Sequence, residues 1–189
     1  MARQYHFVYL LSFGSNVGDR MANLLRGRTF LARYGVFQKE SGWIKTEPLA
    51  SDTYDVSDHD FYLNGVLEFA SELSPIELYG KIWEIEDCVG HRRDKRWAPR
   101  ELDIDILFVG ASDVIERTVE CARECDTSFA NARALHFVGP DGFRVPHADF
   151  WNRPFLIDLV VVHLDIPREI LLKHENVMKN EENILKGNS

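Results

Sequence analysis

Two periods of apolar positions alternate along this chain. Residues 6–13 (HFVYLLSF) are aliphatic and aromatic almost without interruption and end at Gly14, the pattern of a strand buried on both faces. GSNVGDR (14–20) then supplies turn residues, and Met21, Leu24, Leu25, Arg28, Leu31 and Ala32 recur at helical spacing until Tyr34 and Gly35 stop the helix. VFQKESGWIKT (36–46) has partial strand character, whereas 47–60, polar, acidic and carrying Pro48, reads as an exposed loop of a length that is usually functional. FYLNGVLEFAS (61–71) returns to strand alternation. SPIELYGKIWEIEDCVG (74–90) opens with Ser74 as N-cap and Pro75 at the first helical position, and its apolar face repeats at Ile76, Leu78, Tyr79, Ile82, Trp83 and Ile85.

A basic, proline-containing loop, HRRDKRWAPR (91–100), leads into ELDIDILFVG (101–110), the clearest alternating strand in the chain. Residues 111–143 show no firm period. The stretch 145–164 resumes as a short turn followed by an apolar helix or strand, and from Asp165 a charged surface helix frays into a polar tail. Strand, helix, strand, strand, helix, strand is the order of an α+β, ferredoxin-like sandwich with a mostly antiparallel central sheet. A helical C-terminal segment on the other face would make it a three-layer α-β-α arrangement. One domain, 1–189, is expected, with its core over about 6–164 and the charged helix and tail over 165–189.

Composition narrows the function. With 189 residues and 45% hydrophobic positions, the chain can bury a core of its own. Acidic residues outnumber basic ones 30 to 22, a net charge of −8, which is the wrong balance for a general binder of nucleic acid or anionic membrane. The longest apolar run, FLIDLVVVHL (155–164), is broken by Asp158 and His163, so no membrane span is expected. The N-terminal apolar stretch is read as a strand rather than an export signal. Cys88, Cys121 and Cys125 are too few and scattered for a disulfide framework, which points to a reducing cytoplasm.

The chemistry concentrates in RWAPRELDIDI (96–106). On a strand, Asp103 and Asp105 share one face about 6.6–6.8 Å apart while Leu102, Ile104 and Ile106 turn to the other. Two carboxylates on an otherwise apolar strand repel one another and resist desolvation. A divalent cation held between oxygen ligands compensates both, and Mg²⁺, which keeps several waters and joins carboxylates to substrate phosphates, suits the pair. Taken alone, the same alternation also describes the solvated face of an edge strand. Arg92, Arg93, Lys95, Arg96 and Arg100 lie just upstream, a local cationic cluster in an acidic protein. Carboxylates with Mg²⁺ beside such a loop are equipment for a polyphosphate. Trp97, inside the loop, offers a flat apolar face.

Four blocks, FGSNVGDR (13–20), FYLNGVLEF (61–69), GHRRDKRWAPRELDIDIL (90–107) and VPHADFWNRPF (145–155), occur in the order in which they stand in the 6-hydroxymethyl-7,8-dihydropterin pyrophosphokinases of folate biosynthesis, and the chain closely resembles that family from about Phe7 to about Leu159. The resemblance implies transfer of diphosphate from ATP, as co-substrate, to the pterin hydroxymethyl oxygen with release of AMP. It gives Asp103 and Asp105 two Mg²⁺ ions, and it gives Arg93 and Arg100 the role of catalytic-loop arginines. Trp97, on the same loop, is implied to close over both substrates. Arg96, His147, Arg153 and Glu86 fall at positions near the nucleotide. Tyr62 and Phe155 match aromatic residues that sandwich the pterin, Asn64 matches the amide that reads its edge, and Thr46 and Leu49 belong to a loop that adds hydrogen bonds. Small-molecule substrates, no nucleic-acid or membrane partner and a monomeric state complete the expectation. His91, where the family has an arginine, Gly142 and the long 111–144 stretch motivate an alternative, a non-catalytic pterin- or nucleotide-binding paralogue. A further Mg²⁺-dependent nucleotidyl or phosphoryl transferase is disfavoured by the acidic surface and the aromatic pair.

Overall fold

The first strand explains the layering. In β1 (Phe7–Ser15) every residue after the first is buried, and its alternation splits into two sets. Tyr9, Leu11 and Phe13 enter one apolar cluster, while Val8 and Leu10 enter another on the opposite face. A strand with both faces covered must lie in a middle layer. The computed structural model describes residues 6–48, 60–90, 99–112 and 128–176, and within them the sheet runs β2-β4-β1-β5-β6, with β3 also paired to β4. The strands are β2 (Gly35–Glu40), β3 (Ile44–Thr46), β4 (Tyr62–Ser71), β5 (Asp103–Ala111) and β6 (Arg133–Leu135), and every pairing between them is antiparallel. Element order and strand order together give the ferredoxin-like α+β sandwich expected from the pattern.

The first face is covered by α1 (Arg20–Leu31) and α2 (Pro75–Val89). Asp19 caps α1 by accepting from the Ala22 N–H at 3.0 Å. Ser74 and Glu77 close a capping box on α2, the Ser74 N–H donating to Glu77 Oε2 at 2.9 Å, with Pro75 at the first turn as the sequence predicts. Leu24 and Leu31 of α1 and Leu78, Ile82, Ile85 and Val89 of α2 pack with the odd-numbered residues of β1.

On the second face, the even-numbered residues of β1 pack against Phe150, Leu156, Leu159, Val160, Leu164, Ile166 and Leu171. The apolar stretch expected to be a helix or strand is α3 (Pro154–Asp158) continued by a wider turn over Leu159–His163. The 168–176 segment is helical as expected but is more than a surface helix, because Leu171 and His174 are buried in this layer. Its charge pattern hides the buried stripe.

Two more expectations are refined. The 36–46 stretch divides into β2 and β3 around Gly42, whose positive φ of 77° breaks the strand. Residues 111–143, aperiodic in sequence, contribute β6 and the first strand of a hairpin, β7 (Phe137–Val138), which pairs with β8 (Arg144–Val145). Glu68, fully buried, anchors this region by accepting from the Phe129 N–H at 2.9 Å. No helix among the described residues is long and apolar enough to cross a membrane. Residues 177–189 and most of the 47–60 loop lie outside the described residues.

Candidate active site

At the start of β5 the second face carries partly exposed polar side chains, and a bulge decides which ones they are. Register across β1 and β5 runs Leu10↔Phe108 and then Leu11↔Ile106, so β5 carries one extra residue at Leu107. Below that point the alternation changes phase. Ile104 and Ile106 join the α1/α2 core, and Asp105 and Asp103, opposite Ser12 and Gly14, face the partly exposed end of the other layer. This is the separation of carboxylates from apolar neighbours that the alternating sequence predicts.

Neither carboxylate is bare. Asp103 forms an ion pair with Arg100, and Asp105 Oδ2 lies 3.3 Å from Arg153 Nη1. His147 Nε2 is 3.8 Å from Asp105 Oδ1, and its Nδ1 accepts from the Asp149 N–H at 3.2 Å, which leaves the ring proton on the nitrogen facing the carboxylate. The His147 backbone N–H donates to Leu107 O at 2.9 Å, so the bulge residue also fixes the histidine. Burial, and next the charge of Asp105, push the Asp103 carboxyl above its usual range; Arg100 and Arg153 oppose that rise. Among the described residues, no group of three or more His, Cys, Asp or Glu side chains is arranged to hold a metal. The pair offers two hard oxygen donors in a site rich in guanidinium, a set that fits a small divalent cation only if water or ligand oxygens complete its shell.

A second group lies along the same face. Asn64 pairs with Gly14 across β4 and β1, and Gly14 pairs with Asp103 across β1 and β5, so amide and carboxylate are two strands apart, about 9–10 Å between backbones. Asn64 Nδ2 donates to Thr46 Oγ1 at 2.7 Å, which leaves the amide oxygen for another donor. Tyr62, two residues before Asn64, is half-buried on this face; burial first, and the Asp103 charge second, push its phenol up. Phe155 sits on α3 two residues beyond Arg153, half-buried against the second core. Thr46, Tyr62, Asn64, Asp103, Asp105, His147 and Arg153 thus converge on one end of the second face, with Arg100 beside Asp103 and Phe155 on the helix that Arg153 caps. Leu49, Arg93, Arg96 and Trp97 lie outside the described residues.

Glu86 has a different position. It is 5% exposed, and its Oε1 accepts from the Ile104 N–H at 2.8 Å, gripping β5 between the two aspartates from the α2 side. Two further residues escaped the sequence reading. Asn16, buried, accepts from the Arg100 N–H through Oδ1 at 2.7 Å, and its own N–H donates to Arg100 O at 3.1 Å. This reciprocal pair fixes the backbone of the arginine that holds Asp103. Gly14 is the floor between amide and carboxylate, and a Cβ there would stand 2.7 Å from Asn64 Oδ1. The GSN triplet was the available signal, but read as a turn it did not disclose either contact.

Comparison with known proteins points the same way. The family model for 7,8-dihydro-6-hydroxymethylpterin-pyrophosphokinase matches residues 10–161. A folate synthesis bifunctional protein of Arabidopsis thaliana is 29% identical over 150 residues, covering 78% of this chain and 25% of the relative. One from Chlamydia trachomatis is 30% identical over 155 residues, 79% of this chain and 29% of that protein. The 2-amino-4-hydroxy-6-hydroxymethyldihydropteridine pyrophosphokinase of Aquifex aeolicus is 36% identical over 98 residues, 52% of this chain and 58% of the relative. The match therefore spans only about a quarter of the plant and chlamydial proteins.

Proposed function

Because the chain belongs to the 7,8-dihydro-6-hydroxymethylpterin-pyrophosphokinase family, we propose that it transfers diphosphate from ATP to the hydroxymethyl group of 6-hydroxymethyl-7,8-dihydropterin, as a monomer acting on small molecules in the cytoplasm. The observation that carries this reading is the row Asn64, Gly14, Asp103: an amide reader and a carboxylate pair are separated by about two strand spacings over a glycine floor. A flat heterocycle held at the first position would extend a short hydroxymethyl arm toward the second.

In this proposal Asn64 and Thr46, with Leu49, hydrogen-bond the pterin edge, whose polar groups would otherwise be buried unpaired. Tyr62 and Phe155 give its faces aromatic contact, and Trp97 closes over it. Arg100 and Arg153, with Arg93, Arg96 and the Nε2–H of His147, supply donors for ATP phosphate oxygens. Glu86 supports the strand on which the nucleotide would lie. Asp103 and Asp105 would hold Mg²⁺, with two ions expected, and the metal would neutralise and polarise the phosphates. The hydroxymethyl oxygen forms a bond to the β-phosphorus as the bond from that phosphorus to the α–β bridging oxygen breaks. AMP leaves with the electron pair, and the hydroxyl proton passes to solvent. The chain's contribution is alignment and exclusion of water rather than a strong base. Nothing in the family match or the relatives' names favours the non-catalytic alternative, and the carboxylates retain their arginine partners.

The test is incubation with ATP, Mg²⁺ and hydroxymethyldihydropterin, with AMP and the pterin diphosphate measured together. Asp105→Asn should lower AMP formation by at least about 100-fold with an unchanged circular dichroism spectrum. Turnover near that of the parent at ordinary Mg²⁺ would overturn the assignment of the carboxylates.

A further inference from the structure

Behind the pterin-facing row, on the other side of the same two strands, lies a cluster that the proposed chemistry does not use. The Phe61 ring is gripped between two cations: Arg20 Cζ lies 4.0 Å from its centroid and Lys45 Nζ lies 4.0 Å from it. Asp60 completes the group. Its Oδ1 accepts from the Phe61 N–H at 2.8 Å, and its Oδ2 pairs with Arg20, the first residue of α1. The Phe61 backbone, and secondarily Arg20, hold the Asp60 carboxyl below its usual range.

The location gives the cluster its meaning. Lys45 directly precedes Thr46, and Phe61 directly precedes Tyr62; Thr46 and Tyr62 form the last register pair of β3 and β4. Strand β3 is only three residues long, so its pairing is a short ladder with little of its own to resist slippage. A slip of one residue would turn Thr46 away from Asn64 and bring Lys45 onto the pterin face. The cation–aromatic–cation stack ties both strand ends to the first turn of α1, and through it to the larger core.

We propose that Phe61, clamped by Arg20 and Lys45, is a positioning residue that sets pterin affinity by fixing the register of Thr46 and Tyr62. The proposal rests on the pterin reading above. It differs from that reading in acting on pterin binding alone, because nothing in the cluster reaches Asp103 or Asp105.

Pterin dissociation constants from fluorescence quenching, and steady-state kinetics for both substrates, are measured on the parent, Phe61→Leu, Phe61→Tyr and the double variant Arg20→Gln/Lys45→Gln. Phe61→Leu and the double variant should raise the pterin Kd and KM by about ten-fold, with kcat and the ATP KM within about two-fold of the parent. Phe61→Tyr, which keeps the aromatic face, should restore parental values. Unchanged pterin affinity in both weakened variants, or kcat and ATP affinity falling in parallel with it, overturns the clamp. Should Phe61→Leu not fold, the double variant, which keeps the Phe61 side chain in place, decides alone. A parent that binds pterin yet forms no AMP refutes the pyrophosphokinase activity, and the dissociation constants of the same variants still decide the clamp. A parent that does not bind pterin overturns both.

Discussion

His174 should make this protein sensitive to mild acid. The ring is 2% exposed, stacks on Phe129 at 4.4 Å and 27°, and meets Phe108 edge-on. Its Nδ1 has no hydrogen-bond partner among the described residues, so a protonated ring would carry a buried N–H without an acceptor. Burial pushes its pKa down to about 4 from 6.5, against a hydrogen bond to the Val109 backbone that acts in the opposite direction. Below pH 6.5 the unfolded chain takes up a proton that the native chain refuses, so stability falls from about pH 6.5 toward about pH 4 and then levels. Between pH 7 and pH 5 the loss from this residue alone is about 2 kcal/mol, at about 1.4 kcal/mol for each pH unit below the unfolded value. Urea denaturation of the parent and of His174→Phe, which keeps the aromatic stack, isolates it, because every other titrating group cancels in the difference. The parent's midpoint should drop by about 1 M more than the variant's over that range. Parallel pH profiles would refute the buried, neutral state of this ring.

Asn16→Ala should lower turnover by about ten-fold and cost about 1–2 kcal/mol, because the part-buried Arg100 N–H loses its acceptor; unchanged kinetics would show that Arg100 needs no such support. Arg100→Ala should reduce kcat more than pterin affinity, and a defect confined to pterin binding would count against its place beside Asp103. In Gly27→Ala the new Cβ would stand 2.5 Å from Leu102 Cδ2, a fully buried side chain, so overpacking of about 1–3 kcal/mol should outweigh the roughly 1 kcal/mol gain in helix propensity. A higher thermal midpoint for that variant would show that α1 can shift away from β5.

What could be read from the sequence follows from the range of the interaction concerned. The Ser74 cap of α2 and the shared face of Asp103 and Asp105 are local, and both were legible because residues one to four apart decide them. Asn16 was not, because its partner is the backbone of a residue 84 positions away, and a backbone leaves no compositional trace. The buried stripe of 168–176 was hidden for another reason: Leu171 and His174 are flanked by Arg168, Glu169, Lys173 and Glu175, and charge at most positions reads as a solvated helix. Aromatic residues can be counted in a sequence, but the stacking of His174 on Phe129 and of two cations on Phe61 depends on the tertiary path.

The bulge at Leu107 was the least legible feature and has the largest consequence. Ile106, Leu107, Phe108 and Val109 are all apolar, so the sequence does not show where the alternation changes phase. Without the extra residue, Phe108 opposite Leu10 would bring Leu107 opposite Leu11, Ile106 opposite Ser12 and Asp105 opposite Phe13. Asp105 would then enter the apolar layer beneath α1 and α2, where an uncompensated carboxylate costs several kcal/mol. Ile106 would meanwhile stand on the partly exposed face. A regular strand could therefore either anchor Phe108 in the second core or present both carboxylates to the site, but not both. One inserted leucine satisfies the two requirements together, and its carbonyl, accepting from the His147 N–H, brings the histidine to Asp105. Core packing and site chemistry are in this way set by the same residue.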